Sequence, residues 1–251
     1  MTVTVAAAVV LAGGSGSRVG AGRNKVYLPL AGRPVLAWSL LTFARMPEIG
    51  PIVLVVRPED RADARALLAA EPELADRADL RLVEGGPTRQ ESELEGLRAL
   101  ADRITAGEVD AVLVHDGARP LAGEALARAI LAAARAHGGA VPGIPCPDLA
   151  VAGTAEPVTL GDVRAGPLGE LLTAPAGADL VAVQTPQGFR AAPLLAACEA
   201  AVREGFVGTD TASCAERFGG PPARWVPGDA ANIKITYPED LRAAESRLAS
   251  G

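Results

Sequence analysis

The sequence predicts an α/β fold, a mostly parallel twisted sheet with helices on both faces. Three observations carry that expectation. Short apolar runs alternate with stretches of helical spacing along most of the chain, which is the pattern of repeated strand–helix units. The first apolar run, Val5 to Leu11, opens directly into Ala12-Gly13-Gly14-Ser15-Gly16-Ser17-Arg18, as a buried parallel strand entering a loop does. Of 251 residues, 49% are hydrophobic and 22% charged, enough apolar material for one large core and too much for a disordered chain.

The elements follow in order. After the first strand, Pro34 to Arg45 places Val35, Leu36, Leu40, Leu41 and Phe43 on one helical face. Ile52 to Val56 reads as a second buried strand, and Pro58-Glu59-Asp60 starts a helix through Ala70. Leu80 to Val83 is a third strand, followed by Gly85-Gly86-Pro87 and a helix from Thr88 to Leu100. Ala111 to Val114 is a fourth, ending in His115-Asp116-Gly117-Ala118-Arg119-Pro120. A helix over Gly123 to His137 leads to a short strand near Ala140 to Ile144.

The alternation breaks at 142–175, a stretch rich in Pro, Gly and small residues. An excursion of that length is unusual inside a domain, so it reads as an arm with a hairpin on a single domain spanning 1–251. Order resumes with a strand at Leu180 to Gln184, helices over Ala191 to Glu204 and Thr211 to Phe218, a strand at Arg224 to Val226 and a last helix from Pro238 to Leu248.

Composition excludes several functions. The net charge of −6 argues against a general nucleic-acid binder, which needs a basic surface. The cysteines, Cys146, Cys198 and Cys214, form no CxxC, so neither a disulfide framework nor a structural zinc site is expected. Val3 to Leu11 is too short to span a bilayer and lacks the flanks of a signal peptide. The expectation is a cytoplasmic protein with no membrane partner.

Against this acidic background the basic residues are unevenly chosen. Only Lys25 and Lys234, out of 24 lysines and arginines, are lysines. An ammonium is a compact point charge and a guanidinium a planar fork, so positions that keep the ammonium in an arginine-rich chain are candidates for needing it. Lys25 follows the glycine-rich loop, and Arg18, Arg23 and Lys25 put three positive charges in eight residues with no acid between them. Small residues let backbone N–H groups approach phosphate oxygens, so the loop reads as a triphosphate site. It is not a dinucleotide fingerprint, because Val19 stands where the third glycine is required and Arg57 where an acid would hold a ribose. Nor is it a Walker A loop, because no GxxxxGK[ST] string occurs.

Together with Asn24-Lys25-Val26-Tyr27-Leu28-Pro29-Leu30, the loop resembles that of the 2-C-methyl-D-erythritol 4-phosphate cytidylyltransferases. Five further strings are similar to that family and come in its order. They are Gly85-Gly86 with Arg89 and Ser92, His115 through Pro120, Gln184-Thr185-Pro186-Gln187-Gly188-Phe189, Thr209-Asp210, and Asn232-Ile233-Lys234-Ile235-Thr236. Ribitol-5-phosphate cytidylyltransferases share much of this frame.

The resemblance implies a Rossmann-like nucleotidyltransferase fold, a homodimer formed partly through the arm, CTP and a small polyol phosphate as substrates, and Mg²⁺ as the cofactor. By match to the motifs, Arg18 and Lys25 stabilise the transition state, and Lys234 touches the α-phosphate or the incoming phosphate. Ala12, Gly13, Gly14, Ser15 and Gly16 hold the triphosphate. Gly86, Arg89, Ser92 and Gly117 take the base and ribose. Asp116 and Arg119 face the acceptor, with Thr185 and Thr209 nearby, and Asp116 is also the candidate metal ligand. Read as residues alone, His115 is a structural strand-end group, and Thr209-Asp210 equally suits a helix N-cap.

The acceptor half departs from the family pattern. The family carries an arginine eight residues before the Thr of the ThrProGln string, reaching the acceptor phosphate of the partner subunit, and here that position is Gly177. Asp148-Leu149-Ala150-Val151 lacks the lysine expected at the start of the arm, and Ala231 stands where an acid often precedes the AsnIleLys string. Arg164 is the candidate replacement for the missing arginine. Three readings stay open: a cytidylyltransferase for methylerythritol phosphate, one for another acceptor such as a pentitol phosphate, and a CTP-binding protein without turnover.

If the ammonium matters as a point charge, Lys25→Arg should slow nucleotidyl transfer almost as much as Lys25→Ala. Losing one such contact raises the barrier by roughly 2.7–4 kcal/mol, a hundredfold or more in rate. Steady-state pyrophosphate release checks this, and near-wild-type turnover by Lys25→Arg would contradict it.

Overall fold

A strand with no polar side chain has to be covered on both faces. β1 (Val5–Leu11) is such a strand, and in the computed structural model it lies inside the sheet, parallel to a neighbour on each side. The structure describes residues 4–14, 24–146, 181–220 and 223–249, together with the backbone of four short strands between 151 and 172.

The chain continues from a 3-10 turn at Lys25–Tyr27 into a small hairpin of β2 (Pro29–Leu30) and β3 (Arg33–Pro34). Its tip, Ala31-Gly32, takes positive φ of 47° and 82°. Helix α1 (Val35–Ala44) and strand β4 (Ile49–Val56) follow. A 3-10 turn at Pro58–Asp60 leads into α2 (Arg61–Ala70) and the single-turn α3 (Pro72–Ala75). β5 (Leu80–Glu84), α4 (Arg89–Arg98), α5 (Ala101–Thr105), β6 (Val109–Asp116), α6 (Gly123–His137) and β7 (Gly139–Pro145) continue the alternation.

The predicted hairpin segment contains two antiparallel ladders. β8 (Val151–Ala152) pairs with β11 (Leu171–Leu172), and between them β9 (Pro157–Leu160) pairs with β10 (Val163–Pro167). β12 (Val181–Val183), β13 (Gln187–Arg190), α7 (Ala191–Arg203), α8 (Thr211–Arg217), β14 (Arg224–Pro227) and α9 (Pro238–Ala249) complete the chain.

The main sheet runs β12-β7-β13-β6-β1-β4-β5, with β14 also paired to β7. β1, β4, β5 and β6 are parallel, as predicted. β12 and β13 are antiparallel to their neighbours, so the sheet is mixed at that side.

The period of two along β1 divides the core. Ala6, Ala8, Val10 and Ala12 face a cluster with Leu36, Leu40, Phe43 and Ile130. Ala7, Val9 and Leu11 face Leu94, Leu97, Leu194 and Cys198. Each fully buried Leu or Phe contributes about 1.5–3 kcal/mol relative to exposure. A third cluster, Leu30, Val35, Ile235 and Ala244, ties the last helix to the hairpin.

Four of the differences between the sequence expectations and the structure are instructive. β4 begins at Ile49 rather than Ile52 because Gly50 is a packing glycine: a Cβ there would lie 2.6 Å from Val5 Cγ2. The predicted helix over 58–70 starts as a 3-10 turn, with Pro58 at its first position. The helix over 88–100 stops at Arg98 and restarts as α5, and Thr88 is its N-cap, closing a capping box with Glu91. β13 has no apolar alternation to announce it. Gly188 is required there, since a Cβ would meet Ile130 Cγ2 at 2.8 Å and Leu113 Cδ2 at 2.9 Å.

Gly96 lets α4 pack tightly against β1 and β4. A Cβ there would collide with Val9 Cγ1 and sit 3.0 Å from Val55 Cγ2. Gly96→Val is expected to destabilise the fold by about 1–3 kcal/mol or more, because overpacking displaces two sheet side chains at once. Urea unfolding monitored by circular dichroism measures it.

Candidate active site

Four parallel strands end at one edge of the sheet, where open α/β sheets bind ligands. A pocket of about 280 Å³ lies there. Gly13 and Gly14 follow β1, Gly86 through Arg89 follow β5, Asp116 and Ala118 close β6, and Lys25 and Lys234 come from the segments that cross the opening. Among the described residues, a Cβ on Gly14 would meet no atom within 4 Å, so no described side chain crowds its backbone. Such backbone N–H groups are suited to an anion.

Asp116 is the hub. Its Oδ2 accepts from Lys234 Nζ at 2.7 Å, its Oδ1 accepts from Arg89 Nη2 at 3.4 Å, and Arg119 Nε lies 4.0 Å from Oδ2. Burial pushes the Asp116 carboxyl up, but Arg89, Lys234 and Arg119 outweigh it and hold it well below the usual carboxylate range. Arg89 is braced from behind by Glu93 at 2.9 Å, one helical turn on. Glu93 is 2% exposed, and burial raises its pKa against the pull of Arg89. Arg89, Arg119 and Lys234 thus meet the carboxyl groups of Asp116 and Glu93, three cations against two acids.

The interruption between β12 and β13 explains Thr185. Gln187 pairs with Val114 of β6, so Thr185 arrives opposite Asp116. There the ladder is replaced by a side chain: Thr185 Oγ1 accepts from the Asp116 N–H at 3.0 Å. The same hydroxyl lies 3.1 Å from His115 Nδ1, and His115 Nε2 lies 3.1 Å from the Arg119 carbonyl. One assignment satisfies all three contacts: Thr185 donates to Nδ1 and the Nε2–H donates to Arg119 O. His115 is fully buried, and desolvation holds its pKa down at about 4, so the ring is neutral and structural, as expected from sequence.

Lys234 is placed by buried amides. Asn232, 0% exposed, donates to Thr185 O at 2.8 Å. Gln184 donates to Asp229 O at 2.8 Å and to Asn232 O at 3.3 Å, and accepts from Asp229 N–H at 3.2 Å. Arg119 Nη1 donates to Asn232 O at 2.8 Å, and Ile235 N–H donates to Ala118 O at 2.8 Å. At the other side, Asn24 donates to Ala12 O and to Asp60 Oδ2, each at 2.8 Å, and accepts from Val26 N–H at 3.3 Å. Arg57 grips Asp60 with two bonds, Nε to Oδ2 at 2.8 Å and Nη2 to Oδ1 at 2.9 Å.

The structure therefore brings Gly13, Gly14, Lys25, Gly86, Arg89, Ser92, Asp116 and Lys234 together around one pocket. Ala12 is buried just beneath it. Other sequence candidates hold different positions. Gly117 packs inward, where a Cβ would lie 2.7 Å from Leu36 Cδ1 and 3.1 Å from Leu11 O. Thr185 and Arg119 brace backbone. Thr209 precedes Asp210, which is the N-cap of α8 and accepts from Ser213 N–H at 2.9 Å. Ser15, Gly16, Arg18 and Gly177 lie outside the described residues, and Arg164 is described only as backbone paired with Thr159.

Sequence reasoning missed Asn24, Glu93, Gln184 and Asn232 as site-forming residues. Glu93 was within reach, because an acid four residues after Arg89 shares its helical face. The three amides become meaningful only once distant segments meet.

Comparison with known proteins finds that residues 6–250 match the family model for 2-C-methyl-D-erythritol 4-phosphate cytidylyltransferase. Proteins of that name from Geobacillus kaustophilus and Prochlorococcus marinus are 39% and 40% identical. The alignments cover 97% of this chain and 96% of the first, and 96% of this chain and 97% of the second. The crystal structure of 4-diphosphocytidyl-2C-methyl-D-erythritol synthase from Anaerococcus prevotii superposes with a TM-score of 0.75 at 28% identity, covering 98% of this chain and 96% of that one. The Thermus thermophilus 2-C-methyl-D-erythritol 4-phosphate cytidylyltransferase gives 0.65 at 32% identity, with both chains fully covered.

The buried imidazole makes stability depend on pH. An unfolded histidine titrates near 6.5, and His115 in the fold near 4. Between those values the unfolded state binds more protons, so stability falls as pH drops through that window. The loss is on the order of 2–3 kcal/mol by pH 4.5. His115→Gln is expected to remove that part of the slope, measured as the difference between wild-type and variant urea midpoints from pH 7 to 4.5.

Proposed function

The chain belongs to the 2-C-methyl-D-erythritol 4-phosphate cytidylyltransferase family, and we propose that the pocket between Gly13 and Lys234 is where it moves CMP from CTP to the phosphate of methylerythritol 4-phosphate. The products are 4-diphosphocytidyl-2-C-methyl-D-erythritol and pyrophosphate, a step of isoprenoid precursor synthesis. The observation that carries the reading is the convergence of Lys25, Arg89 and Lys234 on a pocket floored by Gly13 and Gly14.

The acceptor phosphate is largely dianionic at neutral pH, its second pKa being about 6. Its oxygen attacks the α-phosphorus, and the bond to the bridging oxygen of pyrophosphate breaks, that oxygen keeping the electron pair. No strong base is required, consistent with a neutral His115 turned into the core. The protein has to place two anions in line and offset the charge that develops. In this reading Arg18 and Lys25 act on the α-phosphoryl and leaving oxygens, and Lys234 draws donor and acceptor together. The amides of Gly13 and Gly14 meet the triphosphate. Ser92, whose hydroxyl donates to Gly86 O at 3.1 Å, keeps lone pairs available for the cytosine amino group.

Mg²⁺ suits this donor set. Asp116 offers a hard carboxylate oxygen in the pocket, and no cluster of three or more His, Cys, Asp or Glu able to form a protein cage occurs among the described residues. Mg²⁺ is commonly held by one or two carboxylates with phosphate oxygens and water, so Asp116 would be the protein contact. When bound, the ion neutralises phosphate charge.

A second copy of the chain is part of the proposal, with 142–175 as the arm that joins it to the single domain. The ladders β8–β11 and β9–β10 support it, as do Val183 and Trp225, exposed on strands that flank β7 at the arm's root. The proposed location is the cytoplasm; among the described residues no helix is long and apolar enough to cross a membrane. Because Gly177 stands where the family carries an arginine, another phosphate acceptor such as a pentitol phosphate is the competing reading.

Pyrophosphate release with CTP, Mg²⁺ and a panel of acceptors tests the reading. Methylerythritol phosphate should be the best acceptor and UTP a poor donor, because uracil leaves a buried acceptor unpaired. Lys234→Gln should cut turnover about a hundredfold. Faster turnover of ribitol phosphate would reassign the acceptor, and CTP binding without release for any acceptor would remove the enzyme assignment.

A further inference from the structure

We infer that Asn24 is a positioning residue for the nucleotide, a latch that ties the segment carrying Lys25 to the end of β1 at Ala12. This rests on the function proposed above.

Asn24 sits at the far end of the loop that leaves β1 at Ala12. Its side chain returns to that starting point, donating to the Ala12 carbonyl at 2.8 Å. The two ends of the loop are thus cinched across twelve positions by one amide. The second N–H donates to Asp60 Oδ2 at 2.8 Å, and the carbonyl oxygen accepts from Val26 N–H at 3.3 Å. Both donors and the acceptor oxygen of the amide are engaged, and the residue is 1% exposed.

The latch has an external anchor. Asp60 is 6% exposed and is clamped by both arms of Arg57 at the end of β4. β4 also meets the loop directly, since Ala12 N–H donates to Val55 O at 2.8 Å. Arg57, Asp60, Asn24 and Ala12 therefore form a continuous path from β4 to the loop, and Lys25 is the next residue after the latch. Arg57, which in sequence excluded a dinucleotide site, here carries the Asp60 end of that path.

The geometry asks for an amide. A carboxylate at 24 would face Asp60 with like charge and would lose the donor to Ala12 O. A serine could still cap Val26, because serine is a good N-cap, but its single short hydroxyl cannot bridge Ala12 and Asp60 together. Asn24→Ser therefore separates capping from latching.

CTP affinity by calorimetry, with Michaelis constants for CTP and for methylerythritol phosphate, provides the test. Asn24→Ser should weaken CTP about tenfold in both measures while the acceptor constant stays within about twofold. Asn24→Asp should be worse, because it sets like charge opposite Asp60 and also lacks the donor to Ala12 O. Wild-type CTP affinity in Asn24→Ser would overturn the latch and leave only a cap. Equal losses for both substrates would overturn it as well. Calorimetry needs no turnover, so the two readings fail separately. A wild type that binds CTP but does not use methylerythritol phosphate defeats the acceptor assignment alone.

Discussion

Asp116 is the one contact on which the rest of the site depends. Lys234, Arg89 and Arg119 are all cations, and without an acid among them they would repel one another across the mouth of the sheet. The carboxylate lets them stand close together: Lys234 at 2.7 Å, Arg89 at 3.4 Å and Arg119 at 4.0 Å. It is placed without slack, because its own backbone N–H is held by Thr185 and its strand neighbour His115 by the same hydroxyl. What remains is a patch with more positive than negative charge, attractive to an anion.

Two kinds of precision meet at this edge. The strands deliver Gly13, Gly86 and Asp116 by register, fixed by parallel ladders between β1, β4, β5 and β6. The lysines arrive on irregular segments and need side-chain amides to hold them. Gln184 and Asn232 do this for Lys234, and Asn24 closes the segment that carries Lys25. Backbone hydrogen bonds and buried amides therefore play the same part, one inside regular structure and one outside it.

Most of the fold was legible because its strands are uniformly apolar and its helices carry clear starts and stops. The bounds of β1 and α6 match the sequence reading residue for residue. β13 was not legible, because Gln187 and Gly188 are fixed by what lies around them and not by any pattern of their own. The site was legible where chemistry demands an unusual residue. Two lysines in an arginine-rich chain pointed to both sides of the pocket, and paired glycines pointed to its floor. It was not legible where a residue serves at second hand. Gly117 and Thr185 stand in recognisable strings, yet one relieves crowding against Leu36 and the other replaces a ladder bond.

The strand pairing at the root of the arm has a consequence for how such a protein can change. Val181 pairs with Pro145, so the chain leaves the sheet and returns to it at adjacent points. Residues 146–180 lie between those two points in the sequence. Lengthening such a loop costs only about 0.6 kcal/mol per doubling, and the register of β7 with β12 is untouched by it. Changes of length in that stretch therefore leave the register of the strands that carry the glycines and Asp116 as it is. The departures at Gly177 and after Asp148 fall within it. Descent can therefore vary the length of that stretch while the strands, locked into parallel register, stay as they were.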